Sequence, residues 1–147
     1  MSITPALDRP QALGLLARAP ADRLTALFPD LPPHETLRAP EVGAVMVRGR
    51  QGGTGAPFNL GEMSVTRCSV RLPCGTAGHG YVQGRDKDHA RRAAVLDALL
   101  QTSAADQLHA SVLAILAADE AERRAARAAR AGATKVEFFT MVRGEDQ

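Results

Sequence analysis

The sequence predicts an α+β fold with N-terminal helices, a mainly antiparallel sheet of about four strands, and two helices between the third strand and the last. Three observations predict it. Ten of the thirteen glycines lie between Gly43 and Gly84, where short β-branched runs alternate with turn residues. Seventeen of the 27 alanines lie between Ala90 and Ala133, and alanine is the strongest helix former. The stretch from Thr134 to Gly144 alternates Val136, Phe138, Thr140 and Val142 with Lys135, Glu137, Phe139 and Met141, the period of a strand apolar on both faces.

Each element has its own warrant. Leu13, Leu16 and Ala17, then Leu24, Leu27 and Phe28, recur at helical spacing; Asp8 is the expected N-cap, Pro10 is tolerated in the first turn, and Pro20 divides two short helices. Four prolines from Pro29 to Pro40 predict a connector. Val42, Val45, Met46 and Val47 predict a strand ending at Arg48, followed by a glycine-rich loop to about Met63. Val65, Thr66 and Val70 predict a second strand over Glu62 to Leu72, and Pro73, Gly75 and Gly78 bound a turn into a third around His79 to Gln83. Asp86 is a good N-cap for a helix that places His89, Ala93, Leu96 and Leu100 on one face. Ser103 is the expected cap of a second, longer helix that buries Leu108, Val112, Ile115 and Leu116 and persists to about Arg130. The closing strand is expected to join the sheet.

Composition bounds the function. At 147 residues a single domain, residues 1–147, is expected. Setting alanine aside, only 39 large apolar side chains remain, and aromatics make up 3% of the chain with no tryptophan, so the core is thin. It is expected to complete its burial on partner chains. No apolar run approaches the roughly 20 residues that span a bilayer, and no basic-then-apolar leader opens the chain, so a cytoplasmic protein without membrane contact is expected. Cys68 and Cys74 lack the paired spacing of a structural zinc site and read as reduced thiols.

Charge is segregated. Residues 1–42 carry a net −1, residues 43–92 carry +5 and residues 93–147 carry −2. The basic middle contains the loop Gly49 to Gly61, with five glycines in thirteen residues. Glycine permits positive φ and close backbone approach, so Gly52, Gly53 and Gly55 could offer N–H groups to phosphate oxygens beside the guanidinium forks of Arg48, Arg50 and Arg67. The competing reading is a plain turn, because neither the Walker A nor the dinucleotide pattern is complete. Asn59 and Glu62 flank the loop, with a Glu62–Arg67 ion pair as the structural alternative; His79, between Gly78 and Gly80, is expected to be accessible, and Arg85 precedes the helix cap. No metal ligand set and no nucleophile with an adjacent base is legible, and Phe58 and Tyr81 are too few for a base-stacking nucleic-acid platform.

Three segments together resemble a known family. GRQGGTGAPFNLGEMSVTRC from Gly49 to Cys68, GHGYVQGRDKDHARRAAVLDALLQ from Gly78 to Gln101, and ATKVEFFTMVRGED near the C-terminus resemble the bacterial phosphonate-metabolism family PhnG, the G subunit of the carbon-phosphorus lyase core complex. The resemblance runs from about Leu37 to the C-terminus. It implies an accessory subunit of alpha-D-ribose 1-methylphosphonate 5-triphosphate synthase, a transferase that displaces the adenine of ATP by an alkylphosphonate. It further implies H, I and J subunits as partners, nucleosidase-like chemistry on the I subunit, an iron-sulfur cluster on the J subunit, and no cofactor in this chain. No catalytic residue carries over from the family. The ten candidates are therefore phosphate or partner contacts, and a purely structural scaffold is the alternative role.

Overall fold

The computed structural model describes residues 7–136, and it is an α+β structure with a three-stranded antiparallel sheet among those residues. The order is α1 (Arg9–Arg18), α2 (Ala21–Leu27), β1 (Glu35–Arg50), β2 (Pro57–Arg71), β3 (Ala77–Gln83), α3 (Lys87–Leu99), α4 (Ala105–Leu108) and α5 (Ala114–Ala133). A π-helical turn, His109–Leu113, links α4 to α5. The closing strand expected over Thr134 to Gly144 lies almost entirely outside the described residues.

The helix starts follow local chemistry. Asp8 caps α1 by accepting from the Gln11 N–H at 2.8 Å, and the Gln11 side chain accepts from the Asp8 N–H, so two orphan donors are satisfied reciprocally. Asp86 caps α3 through the N–H groups of Asp88 and His89, both at 2.9 Å. Ser103 does not cap the next helix. Ala104 stands at that position without a side-chain bond, and the neighbouring Thr102 Oγ1 accepts from the Ala104 N–H instead.

The sheet is longer and more lopsided than expected. The connector ends early, because β1 starts at Glu35 and absorbs Pro40 at a break in register. The glycine loop is also shorter than its composition suggests, since β1 runs on to Arg50 and β2 begins at Pro57, leaving Gln51 to Ala56 as the turn. Gly52 and Gly53 have φ of 58° and 82° there, the left-handed region that glycine adopts without strain. β3 pairs only with Val65 to Arg71, so beyond that point β1 and β2 continue as a two-stranded arm. Within the arm Val47 faces Gly61 and Arg48 faces Asn59, which leaves Leu60 as the extra residue of a bulge.

The core lies between one sheet face and the helices. Thr66, Cys68, Val70 and Val82 from the sheet meet Leu16, Leu24, Leu96, Val112, Leu113 and Leu116, all nearly inaccessible. Alanine contributes more than the thin-core arithmetic implies: Ala90, Ala93, Ala94 and Ala98 of α3 are buried against β3. At Gly78 and Gly80 any Cβ would collide with the carbonyl oxygens of Ala94 and Ala90 respectively. These two glycines let a small-residue helix lie directly on the strand.

The buried side chains of Thr66, His89 and Asp97 are each hydrogen-bonded, whereas Arg92 Nε is buried without a partner among the described residues. Asp97, 1% exposed, accepts from Arg9 Nε and Nη2 and from the His79 N–H, all at 2.8 Å. His89 Nε2 lies 2.8 Å from the Leu16 carbonyl, tying α3 to α1. Thr66 Oγ1 donates to the Gly84 carbonyl at 2.8 Å. On the surface, Arg18–Glu120 and Arg23–Asp119 join the N-terminal helices to the base of α5.

Candidate functional site

The ten residues singled out by sequence separate into groups. Arg48, Arg50, Gly52, Gly53, Gly55 and Asn59 cluster at the far end of the arm, Glu62 faces Met46 midway along it, and Arg67 and His79 lie on the solvent face of the sheet. Arg85 is exposed in the turn before α3. Arg67 pairs across the sheet with Glu41, nine residues short of Arg50 on β1, a separation of roughly 30 Å at about 3.3 Å per residue. Arg50 and Arg67 therefore cannot serve one phosphate group.

The arm tip has a defined backbone. The Gly55 N–H donates to the Gln51 carbonyl at 2.7 Å, and a Cβ on Gly55 would sit 2.7 Å from the same oxygen, so this glycine is required by space rather than by φ. Arg50 Nη1 donates to the Gly55 carbonyl at 3.2 Å, spending part of its fork on its own turn. Arg48 makes no ion pair among the described residues, and with Pro57, Phe58 and Asn59 it lines a shallow depression of about 310 Å³. Gly52 and Gly53 are exposed and have open space around their Cα atoms. Among the described residues the tip thus offers the guanidinium of Arg48 and accessible amide backbone.

The second group is differently committed. Arg67 donates to Glu41 Oε2 through Nε at 3.1 Å, and its Nη2 lies 3.0 Å from the same oxygen; Arg38 approaches that oxygen at 3.6 Å. Glu41, not Glu62, is therefore the partner of Arg67. The connector hid Glu41 from sequence reasoning, because pairing register decides which acid meets which base. Beside the pair, Glu41, Val42, Gly43, Ala44, Val65, Arg67 and Tyr81 line a cleft of about 220 Å³. His79 is accessible as expected, with its Nδ1 2.9 Å from Ser69 Oγ. Asp97 reaches the backbone N–H of His79 and not its ring, so the three residues do not form a relay.

Other chemistry is limited. Among the described residues no three metal-ligating side chains come together, and no helix is long and apolar enough to cross a membrane. Cys68 is buried and its thiol pKa is raised by desolvation, while the exposed Cys74 has its pKa lowered, first by its hydrogen bond with the Thr76 hydroxyl, 3.3 Å away.

What distinguishes the arm, among the described residues, is that neither face carries a fully buried side chain. From Ala44 to Met63 no residue is fully buried, and Met46, Phe58 and Leu60 are 54%, 41% and 66% exposed. A lone two-stranded hairpin is marginal in water. The candidates with the freest chemistry stand at the end of an element that calls for external support.

The family model described as "Phosphonate metabolism protein PhnG" matches residues 7–144 of the chain. A relative from Rhizobium meliloti (strain 1021), named "Alpha-D-ribose 1-methylphosphonate 5-triphosphate synthase subunit PhnG", is 47% identical over 146 residues, covering 95% of this chain and 91% of the relative.

Proposed function

The chain belongs to the phosphonate metabolism protein PhnG family, and from that premise we propose that it is an accessory, non-autonomous subunit of an alpha-D-ribose 1-methylphosphonate 5-triphosphate synthase. In this reading it supports displacement of adenine from ATP by an alkylphosphonate, a transferase reaction whose catalytic residues sit on a partner. The H, I and J subunits are the proposed partners, the iron-sulfur cluster belongs to the J subunit, this chain carries no cofactor, and the assembly works in the cytoplasm.

The observation that carries the reading is the projecting arm. Its unsupported faces favour insertion against another subunit, and such insertion delivers Arg48, Arg50 and the amides of Gly52 and Gly53 to surroundings this chain does not itself provide. There they meet the phosphonate or triphosphate oxygens of the ligand. A charge-assisted arginine contact of that kind contributes about 1.5 to 3 kcal/mol. That corresponds to roughly ten- to hundredfold in affinity. The committed state of Arg67, held by Glu41, and the partial engagement of Arg50 by Gly55 favour a second reading, in which the arm is a docking scaffold without ligand contact.

Reconstitution with Arg48→Ala and Arg50→Ala separates the two. Intact assembly with turnover or substrate affinity reduced about ten- to hundredfold supports ligand contact, by the magnitude above. Lost assembly supports the scaffold. Turnover of ATP and methylphosphonate by the isolated chain would overturn the non-autonomous role altogether.

A further inference from the structure

The sheet has two outer edges, and the chain treats them differently. On β3, α3 supplies side chains that occupy the edge: Asp97 accepts from the outward N–H of His79 at 2.8 Å, and Gln101 Nε2 donates to the Ala77 carbonyl at 2.9 Å. On β1, the first part of the edge is blunted in another way. Register shifts fall between Thr36 and Arg38 and between Arg38 and Glu41, and Pro40 has no N–H to offer. Proline, charge and bulges are the usual protections of an exposed edge.

Those protections stop at Glu41. From Val42 to Val47 the pairing with Thr66 to Gly61 runs without a shift, and among the described residues no strand lies on the other side of β1. The direction of each backbone group follows from alternation. His79 points its N–H away from β2, so its partner Ser69, and with it Arg67, Val65, Met63 and Gly61, direct their backbone groups toward β1. Gly43, Val45 and Val47 answer them. Val42, Ala44 and Met46 are then left with N–H and C=O groups aimed outward along a straight, apolar stretch.

We propose that this edge, Val42 to Val47, is a strand-addition site that takes an extended segment of a partner subunit of the synthase. The proposal rests on the subunit role above and adds the mode of contact. The segment it fits is apolar at alternate positions and acidic where it passes Arg48, which stands at the end of the stretch without an ion pair among the described residues. A second copy of this chain fits less well. Antiparallel self-pairing through the outward groups sets even-numbered residues opposite even-numbered ones, so Arg48 would face Pro40, Val42 or Ala44, none of them acidic. The partner strand instead brings its own acid.

The test uses the complete synthase, assembled from co-expressed subunits, beside the full chain alone. Amide hydrogen exchange at Val42, Ala44 and Met46 is fast in the chain alone and is slowed at least about tenfold in the assembly, as one hydrogen bond per outward amide requires. Ala44→Pro removes an outward donor while leaving the inward ladder to β2 intact, and Gly43 before it has no Cβ to clash. This variant binds the other subunits about tenfold more weakly, while Ala44→Val binds as wild type. An active assembly in which the three amides still exchange rapidly overturns the strand-addition site and leaves the subunit role standing. Protection that appears in the chain alone also overturns the proposal, assigning the edge to a second copy where it grows with concentration and to this chain's own closing segment where it does not. A chain that joins no synthase subunit overturns the subunit role and the proposal together.

Discussion

Gly80→Ala tests the contact on which the core is built. A methyl at this position overlaps the Ala90 carbonyl oxygen and lies 2.9 Å from the Ala94 nitrogen and 3.1 Å from the Ala90 carbonyl carbon. All three are backbone atoms, so no side-chain rotation relieves the clash. The helix α3 must lift from β3, loosening Ala90, Ala93 and Ala94 together. Overpacking of this kind costs about 1 to 3 kcal/mol, and the backbone character of the obstacle puts it at the upper end. Reduced freedom of the unfolded chain returns about 0.4 to 1 kcal/mol. The net loss is about 2 kcal/mol, or roughly 4 to 8 °C in Tm for a domain of this size. Urea unfolding followed by circular dichroism is the suitable assay, because the chain has no tryptophan. Gly61→Ala is the control, since nothing lies within 4 Å of its Cβ and its φ is ordinary. Equal midpoints for Gly80→Ala and wild type, with unchanged slope, would refute the reasoning.

Two further outcomes follow from titratable groups. The carboxyl of Glu120 is held below its usual range, chiefly by the hydrogen bond from Arg18. A depressed folded pKa contributes stability that is present above the unfolded value, about 4.3, and is lost as pH falls through the folded value. Urea midpoints measured from pH 6 down to about 3 should fall less steeply for Glu120→Gln than for wild type, and identical profiles would count against the α1–α5 tie. Cys74 should be alkylated by iodoacetamide well before the buried Cys68, and Thr76→Val should slow the Cys74 reaction near neutral pH by removing the first cause of its lowered pKa. Peptide mapping of the labelled thiols reads both effects, and equal labelling of the two cysteines would show that the burial assignment is wrong.

The sequence carried the fold where local chemistry decides it. Asp8 and Asp86 are legible as caps because capping needs only a side chain and the next three residues, and the helical faces of Leu16, Leu24 and Leu96 are legible by period. The arm was not. Glycines at 49 and 61 and Pro57 make strand residues look like loop, because β propensity reflects packing on a pleated surface and no described residue of the arm is fully buried. The pairing of Arg67 with Glu41 depended on register across 26 residues, which no local pattern reports. Gly78 and Gly80 flank the accessible His79, but their tighter role is the approach of α3. The structure gathers Arg48, Arg50, Gly52, Gly53, Gly55 and Asn59 at the arm tip and sets Arg67, His79 and Arg85 apart from them. The closing strand falls beyond the described residues.

Leu60 gives the arm its chemical sidedness. Along β2, Gly61, Met63 and Val65 share a face with Val47, Val45 and Gly43, and strict alternation would send Asn59 to that face and Phe58 to the other. The extra residue inverts this order. Asn59 now stands with Arg48, Met46 and Glu62, while the ring of Phe58 covers Gly49, coming within 3.4 Å of where its Cβ would be, on the side of Val45, Val47 and Met63. One inserted residue thus sorts the arm into a greasy side and a side that keeps its charges, so that a surface gripping the arm could tell front from back. Deleting Leu60 would keep the strands paired and still scramble that distinction.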